Sequence, residues 1–312
     1  MENNKEILKT KKHEIRILSY INLEVYEQIK SLETICCEQD EINLKLELEY
    51  KLHISRYADE NENYVKTNMN EFLYYIGGEL ISYLGISCFD GITGEINGMT
   101  HPKWRGNGFF NRLLTLAADE SQRAGYKKTL LLTDGNSRTG MRFLQSKGIC
   151  LEHSEYRMKR MKGTYDLPIQ NLQIVLRPAC KKDEFEISRQ NNIYFQDEME
   201  KNETGKTIVM SLEEYPENTK IFMIELEGTI IGKINIEYSN DSAFIAGFGI
   251  YQDYRRKGYG KAALTETIRI IEADNIPESE LDVVCTNSNA LNLYKSCGFS
   301  EESVMNYYTM EA

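Results

Sequence analysis

An α+β fold, repeated as two tandem domains with a mixed, mostly antiparallel sheet in each, is what this 312-residue sequence predicts. Three observations carry that expectation. The chain repeats itself: Arg105-Gly106-Asn107-Gly108 stands 150 residues before Arg255-Arg256-Lys257-Gly258, and Gly148 stands 150 before Gly298. A period of that length is too long for a solenoid and suits two ordinary domains. Each half also reads as helices near its start, a run of antiparallel strands, then strand–helix–strand–helix. Finally, each half carries a glycine-bearing turn between a strand and an amphipathic helix.

The first half opens with a short strand, His13 to Leu18. From Val25 to Leu52 the pattern is helical and charge-rich, with Ile29, Leu32 and Ile35 on one side. Phe72–Ile76 and Leu80–Ser87 form a hairpin around Gly77-Gly78. Glu95–Thr100 is the strand that enters the first turn, Trp104–Phe110. The helix after it places Phe110, Leu113, Leu114 and Ala117 on one face and ends near Gly125. Lys128–Thr133 is a strand, Asn136–Lys147 a helix, and Glu155–Met161 a strand that closes the domain. Asn136 is paired in the repeat with Asn287, at an offset of 151.

Pro168 and the surrounding residues break both periodicities. The expected division is therefore an N-terminal domain at 1–163, a linker at 164–171 and a C-terminal domain at 172–312. The second half restarts with a strand, Leu172–Arg177, and a helix from Asp183. Lys201–Lys220 is polar and poorly patterned, the candidate for a mobile loop on the substrate side. Ile221–Glu227 and Thr229–Tyr238 form a hairpin through Gly228. Ala243–Ile250 is the strand into the second turn, and the helix after it buries Leu264, Ile268 and Ile271. Leu281–Val284 is a strand, Asn287 begins a helix, and Glu302–Met310 closes the domain.

A formal net charge of −11 argues against a nucleic-acid-binding protein, which shows a basic face. Seven scattered cysteines without metal-ligand spacing read as reduced thiols, so no metal is expected. No signal peptide is expected at Met1–Glu14, and no apolar run approaches the ~18 residues that span a membrane. A soluble, cytoplasmic protein with no membrane partner follows as the expectation.

The second turn, Tyr254-Arg255-Arg256-Lys257-Gly258-Tyr259-Gly260-Lys261, has the chemistry of a phosphate cradle. Backbone N–H groups at the first turn of a helix lack intrahelical acceptors, and the helix dipole favours an anion there. The glycines let backbone approach a ligand, and the cations attract it. The spacing Arg255-x-x-Gly258-x-Gly260 resembles the acetyl-CoA signature of the GCN5-related N-acetyltransferases (GNAT), [Q/R]-x-x-G-x-[G/A]. Downstream, Leu281-Asp282-Val283-Val284 and then Asn287-x-x-Ala290-x-x-Leu293-Tyr294-x-x-x-Gly298-Phe299 resemble the family's second signature.

That resemblance implies a twisted sheet splayed open between its fourth and fifth strands, with coenzyme A in the splay. It implies acetyl-CoA as co-substrate, held at the pyrophosphate by Arg255 to Lys261 and along the pantetheine by Ile250. Tyr294 falls where the family places the acid that protonates the leaving thiolate; a half-buried helix tyrosine is the structural alternative. Asn287 suits either the cofactor arm or a helix cap. Gly247 and Gly249 suit either close approach of a ligand or tight packing. In the first half, Arg105, Gly106, Asn107 and Gly108 form the matching cradle, with Phe110 in place of its last glycine. Met99 to His101 would pair with the pantetheine, and Leu144 replaces the tyrosine. Glu95 lies within a residue of where some members keep a glutamate base, or is an exposed strand carboxylate.

Acetyl transfer to an amine needs a neutral amine, a hydrogen bond to the thioester carbonyl and a proton for the thiolate. It needs no covalent intermediate, so Cys285 and Cys297 read as small core residues. The second half has no histidine, since the four are His13, His53, His101 and His153, and its general base is left unassigned. The function expected is acetyl transfer from acetyl-CoA to a small-molecule primary amine, with the complete second half turning over. A homodimer is left open. The alternatives are a silent coenzyme A-binding or oligomerisation module, and an aminoacyl-tRNA-dependent transferase of the same fold.

Overall fold

The computed structural model describes residues 8, 10–60, 68–89, 91–167, 173–195 and 211–310. The chain divides into two compact units, and the first is discontinuous in sequence. It takes Met1–Ser154 and Val304–Ala312, and the second takes Glu155–Ser303.

In the first unit the elements are β1 (His13–Leu18), α1 (Leu23–Asp40), α2 (Leu48–Glu60), β2 (Glu71–Ile76), β3 (Glu79–Ser87), β4 (Thr93–Thr100), α3 (Phe109–Arg123), β5 (Lys128–Asp134), α4 (Arg138–Lys147) and the start of β6 (Cys150–Met161). Asn22 caps α1, its Oδ1 accepting from Val25 N at 2.9 Å. The single helical stretch expected over Val25–Leu52 is two helices. The backbone turns left-handed at Glu41 (φ 53°) and again at Glu47 (φ 57°), which ends α1 before α2 begins. The buried stripe of α1 is Val25, Ile29, Leu32 and Cys36, while Ile35 is exposed. Cys36 continues the 3.6-residue repeat, and Ile35 stands one residue round the helix from it.

The second unit contains β7 (Ile174–Pro178), α5 (Glu184–Phe195), β8 (Thr219–Leu226), β9 (Thr229–Tyr238), β10 (Ser242–Ile250), α6 (Tyr259–Ala273), β11 (Glu278–Val284), α7 (Ser288–Lys295) and the start of β12 (Ser300–Met310). Half of the polar loop expected at Lys201–Lys220, residues 201–210, lies outside the described residues; the rest contains a 3-10 turn at Leu212–Glu214 and the first two residues of β8.

Each unit has one parallel strand pair. β4 lies beside β5 over Thr93–Ile96, and β10 beside β11 over Ser242–Phe244. The ladder stops there, although β4 runs on to Thr100 and β10 to Ile250. That is the splay that the resemblance implies, and it occurs in both units. The helices α3 and α6, which follow β4 and β10, bury apolar stripes on one face of their sheets. The opposite face carries α1 in the first unit and α5 in the second.

The closing strands are exchanged. Sequence order assigns Glu155–Met161 to the first domain and Glu302–Met310 to the second, but the ladders reverse this. Glu155–Met161 pairs antiparallel with β11, and Met305–Met310 pairs antiparallel with β5. Charge complementarity selects the first pairing. Arg157 forks onto Asp282 (Nε–Oδ1 2.5 Å, Nη2–Oδ2 3.1 Å), and Lys159 meets Glu278 at 2.9 Å. Arg160 is buried, bonding Glu272 at 2.7 Å and the carbonyls of Cys297 (3.1 Å) and Tyr165 (3.0 Å). Packing selects the second: buried Tyr307 lies on Leu130 and Leu132 and stacks on His153, with ring centroids 4.3 Å apart. The limits 1–163 and 172–312 thus describe the repeat, while the compact units divide after Ser154 and after Ser303.

Candidate active site

Both splays open beside a helix N-terminus without a side-chain cap. Gly108 begins α3 at φ 79° and Gly258 begins α6 at φ 87°, and neither receives a side-chain cap bond. Glycine is the residue that takes this left-handed turn without strain. In the second unit the N–H groups of Tyr259, Gly260 and Lys261 occupy the first turn, where no intrahelical acceptor exists. Arg255, Arg256, Lys257 and Lys261 pair with no carboxylate among the described residues. Four unneutralised cations around an uncapped helix start give it a chemistry that favours an anion.

The arginines at the repeat are braces. Arg255 Nε donates to Ile250 O at 2.7 Å, and Arg105 Nε donates to Thr100 O at 3.0 Å, each bonding a carbonyl five residues back. Arg105 is also neutralised by a fork onto Asp40 (2.9 and 2.7 Å), which weakens the first cradle's pull on an anion. Arg256 reaches Asn289 Oδ1 at 3.1 Å, and Lys257 lies over the Tyr254 ring. Gly260 has ordinary room for a side chain, so Phe110 at the matching place is no obstacle to the first turn. Asn107 donates to Trp104 O at 2.9 Å and Arg105 O at 3.2 Å, tightening the turn whose Gly106 is left-handed.

Asn287 caps α7, with Oδ1 accepting from Ala290 N at 3.1 Å. The first-unit counterpart is Ser137, which caps α4, so the repeat keeps its offset of 150 and the pairing with Asn136 is corrected. Tyr294 packs edge-on against Phe299 at 6.2 Å, and burial pushes its hydroxyl up to about 12. It is therefore protonated at neutral pH. Leu144, its counterpart, lines a cavity in the first unit.

That cavity has a volume of about 440 Å³. Asn97 to Thr100 of β4 and Leu131 to Thr133 of β5 line it, together with the rings of Trp104, Phe109, Phe110 and Phe143. Met99, Arg105, Gly106 and Gly108 are in its lining; Glu95, His101 and Asn107 are not. Glu95 sits two residues earlier, where β4 is still paired on both sides, to Ser87 and Leu130. His101 donates its backbone N–H to Ile81 O, and its Nδ1 accepts from Lys103 N at 3.2 Å. Burial lowers the His101 pKa, which favours the neutral ring.

In the second unit β10 carries a bulge. Ala246 pairs with Asn235 and Gly249 with Lys233, so Gly247 and Phe248 stand opposite Ile234 alone. β4 has no such irregularity against β3. The bare faces expected at Gly247 and Gly249 are filled by the protein itself. The Tyr194 ring of α5 lies on Gly249, and Lys233 Nζ lies 2.6 Å from where a Cβ on Gly247 would be. Sequence reasoning passed over Lys233 because a lone lysine within Thr229–Tyr238 looks like a solvent-side residue. It is fully buried, and Nζ donates to Gly247 O at 2.9 Å. Of the two cysteines taken as core, Cys297 is buried and Cys285 is half-buried. Among the described residues no cluster of His, Cys, Asp or Glu could hold a metal ion, and no helix is long and apolar enough to cross a membrane.

A model of the acetyltransferase (GNAT) family matches residues 185–299, from α5 to the end of the second signature. The chain belongs to that family. Its fold is that of a tandem member: a tandem GNAT protein from the clavulanic acid biosynthesis pathway superposes with a TM-score of 0.73 at 12% identity, over 96% of this chain and 98% of that one. An N-alpha-acetyltransferase of Sulfurisphaera tokodaii is 31% identical over 113 residues, 32% of this chain and 66% of the relative. A ribosomal protein bS18 alanine N-acetyltransferase of Escherichia coli is 35% identical over 69 residues, 22% of this chain and 47% of the relative. The chain thus spans between about half and two thirds of these curated relatives.

Proposed function

We propose that the second unit transfers an acetyl group from acetyl-CoA to a primary amine by direct attack. The observation that carries this reading is the splay of β10 from β11 beside the uncapped, cation-ringed start of α6. The N–H groups of Tyr259, Gly260 and Lys261 hold the pyrophosphate, with Arg256, Lys257 and Lys261 adding charge. Arg255 keeps Ile250 in place so that its backbone meets the extended pantetheine. The bulge at Gly247 and Phe248 takes backbone out of the β9 ladder and offers a donor to the thioester carbonyl. Tyr294 keeps its proton at neutral pH and gives it to the departing thiolate.

The first unit binds without efficient transfer in this reading. Its cradle has a neutralised arginine, its β4 lacks the bulge, and Leu144 has no proton to give. The acceptor is a small-molecule amine, bound on the α5 side of β10. A second reading, a protein N-terminal amine, is favoured by the names of the curated relatives.

Thiol release from acetyl-CoA, measured over a panel of small amines and of peptides with free N-termini, tests both. Release with one class of amine and acetylated product supports transfer and selects the acceptor. Tight acetyl-CoA binding with no release in the presence of any amine would leave the silent binding module as the correct function.

A further inference from the structure

We propose that Lys233 is the proton acceptor for the incoming amine in the second unit, a role that rests on the acetyl-transfer reading above. Three observations carry it. The lysine emerges from β9 directly beside the bulge, and Nζ is within hydrogen-bonding reach of the bulge residue Gly247. The bulge lies just past the last β10–β11 pair, Phe244 with Glu280, where the reacting carbonyl enters the splay. Nζ thus stands beside the carbonyl's donor, on the face that α5 covers, opposite the face of α6.

The internal repeat supplies the second observation. Gly247 corresponds to Asn97, and Asn97 lines the first unit's cavity with its Nδ2 buried and without a partner. In the first unit the side-chain place at this position is therefore a cavity wall. In the second unit the missing side chain of Gly247 is replaced by Lys233 Nζ. Both units put a nitrogen there, but an amide cannot take up a proton and an amine can. At the lysine's own position the first unit has Tyr83, whose hydroxyl is committed to Glu71 at 2.5 Å, beside Lys51. There the ionisable groups Lys51 and Glu71 are paired with each other at 3.0 Å.

Chemistry is the third. Burial pushes the Lys233 ammonium down to about 7, so near neutrality an uncharged amine is available as base. The titratable groups on neighbouring elements are Glu186, Arg189 and Tyr194 of α5, Tyr251 after β10, and the Arg177–Glu225 pair of β7 and β8. Glu186 is held by Arg189, Gln190 and Tyr251. The proton balance is complete. Lys233 Nζ takes one proton from the substrate ammonium and passes it to solvent. The freed amine forms the C–N bond, the C–S bond breaks, and the proton lost by nitrogen as the amide forms balances the one the thiolate takes up.

The test is the pH dependence of kcat/KM for wild type and Lys233→Met, an apolar chain of similar length that suits a buried site. Wild type should rise with pH and level off near about pH 7. The variant should lose about 10²–10⁴-fold and lose that limb, while acetyl-CoA affinity stays near wild type. A readout without turnover accompanies it. A lysine whose folded pKa lies below its unfolded value costs stability at acidic pH, and the cost fades as pH rises from about 7 to 10.5. Lys233→Met should therefore exceed wild type in urea resistance most at about pH 6, with the gap closing towards about pH 10. A variant that keeps wild-type kcat/KM and its acidic limb overturns the role of Lys233 and leaves acetyl transfer standing. A wild-type protein that acetylates no amine overturns both.

Discussion

Replacing Tyr294 by phenylalanine removes one buried hydroxyl and leaves the ring on Phe299. A positioned acid contributes about 10²–10⁴ to rate, so kcat should fall by that order with acetyl-CoA binding nearly intact. Glu95→Gln should do much less, because β4 is still paired on both sides at that residue. Steady-state kinetics of the two variants decide between the halves: a dead Glu95→Gln beside a near-normal Tyr294→Phe would move the enzyme to the first unit. Lys233 marks where residue-level reading from sequence stops. Its alternation within Thr229–Tyr238 does not say which face α5 covers, and burial of a lysine is a tertiary property. The one sequence clue was its alignment, at an offset of 150, with the apolar-looking Tyr83.

At the scale of elements, most strands and helices were legible because their period matches their burial. The α3 and α6 stripes and both hairpins fall where the pattern puts them. The misread elements are those decided by partners. The long first helix breaks at two left-handed glutamates that carry no glycine or proline signal, and β6 and β12 have similar lengths and alternation, so nothing local names their neighbour. What names it is charge for β6, and Arg160 is its anchor. Removing a buried, hydrogen-bonded charge costs about 3–5 kcal/mol when its partners stay behind. Glu272 is partly exposed and recovers some hydration, so Arg160→Ala should cost about 3 kcal/mol of second-unit stability. Urea unfolding followed by a probe in β11 checks it; a loss within the ~0.5 kcal/mol of an ordinary surface change would show that the ladder alone holds β6.

For the molecule as a whole, strand exchange makes each unit depend on residues from the other half of the sequence. Tyr307 belongs to the second repeat, yet it packs on Leu130 and Leu132 of the first unit. Tyr307→Ala opens a cavity in that cluster, a change typically worth about 3–5 kcal/mol for a large aromatic in a core. Amide exchange should accelerate in Lys128–Asp134 and stay unchanged in Glu278–Val284; acceleration in the latter instead would refute the exchanged pairing. The tandem fold was readable from sequence because glycine spacing and repeat offset are local. The proposed division of labour between the units was not, since it turns on the Arg105–Asp40 fork, the β10 bulge and the placement of Lys233.

In the proposed division of labour, acetyl-CoA binds at the second cradle for transfer to occur. Gly258→Glu puts a carboxylate and a strained side chain at the left-handed start of α6, against the pyrophosphate. Acetyl transfer and acetyl-CoA calorimetry on this one variant test the account most directly. The account predicts that transfer is abolished together with the binding event at the second unit. Unchanged turnover, with unchanged affinity and stoichiometry, would contradict it.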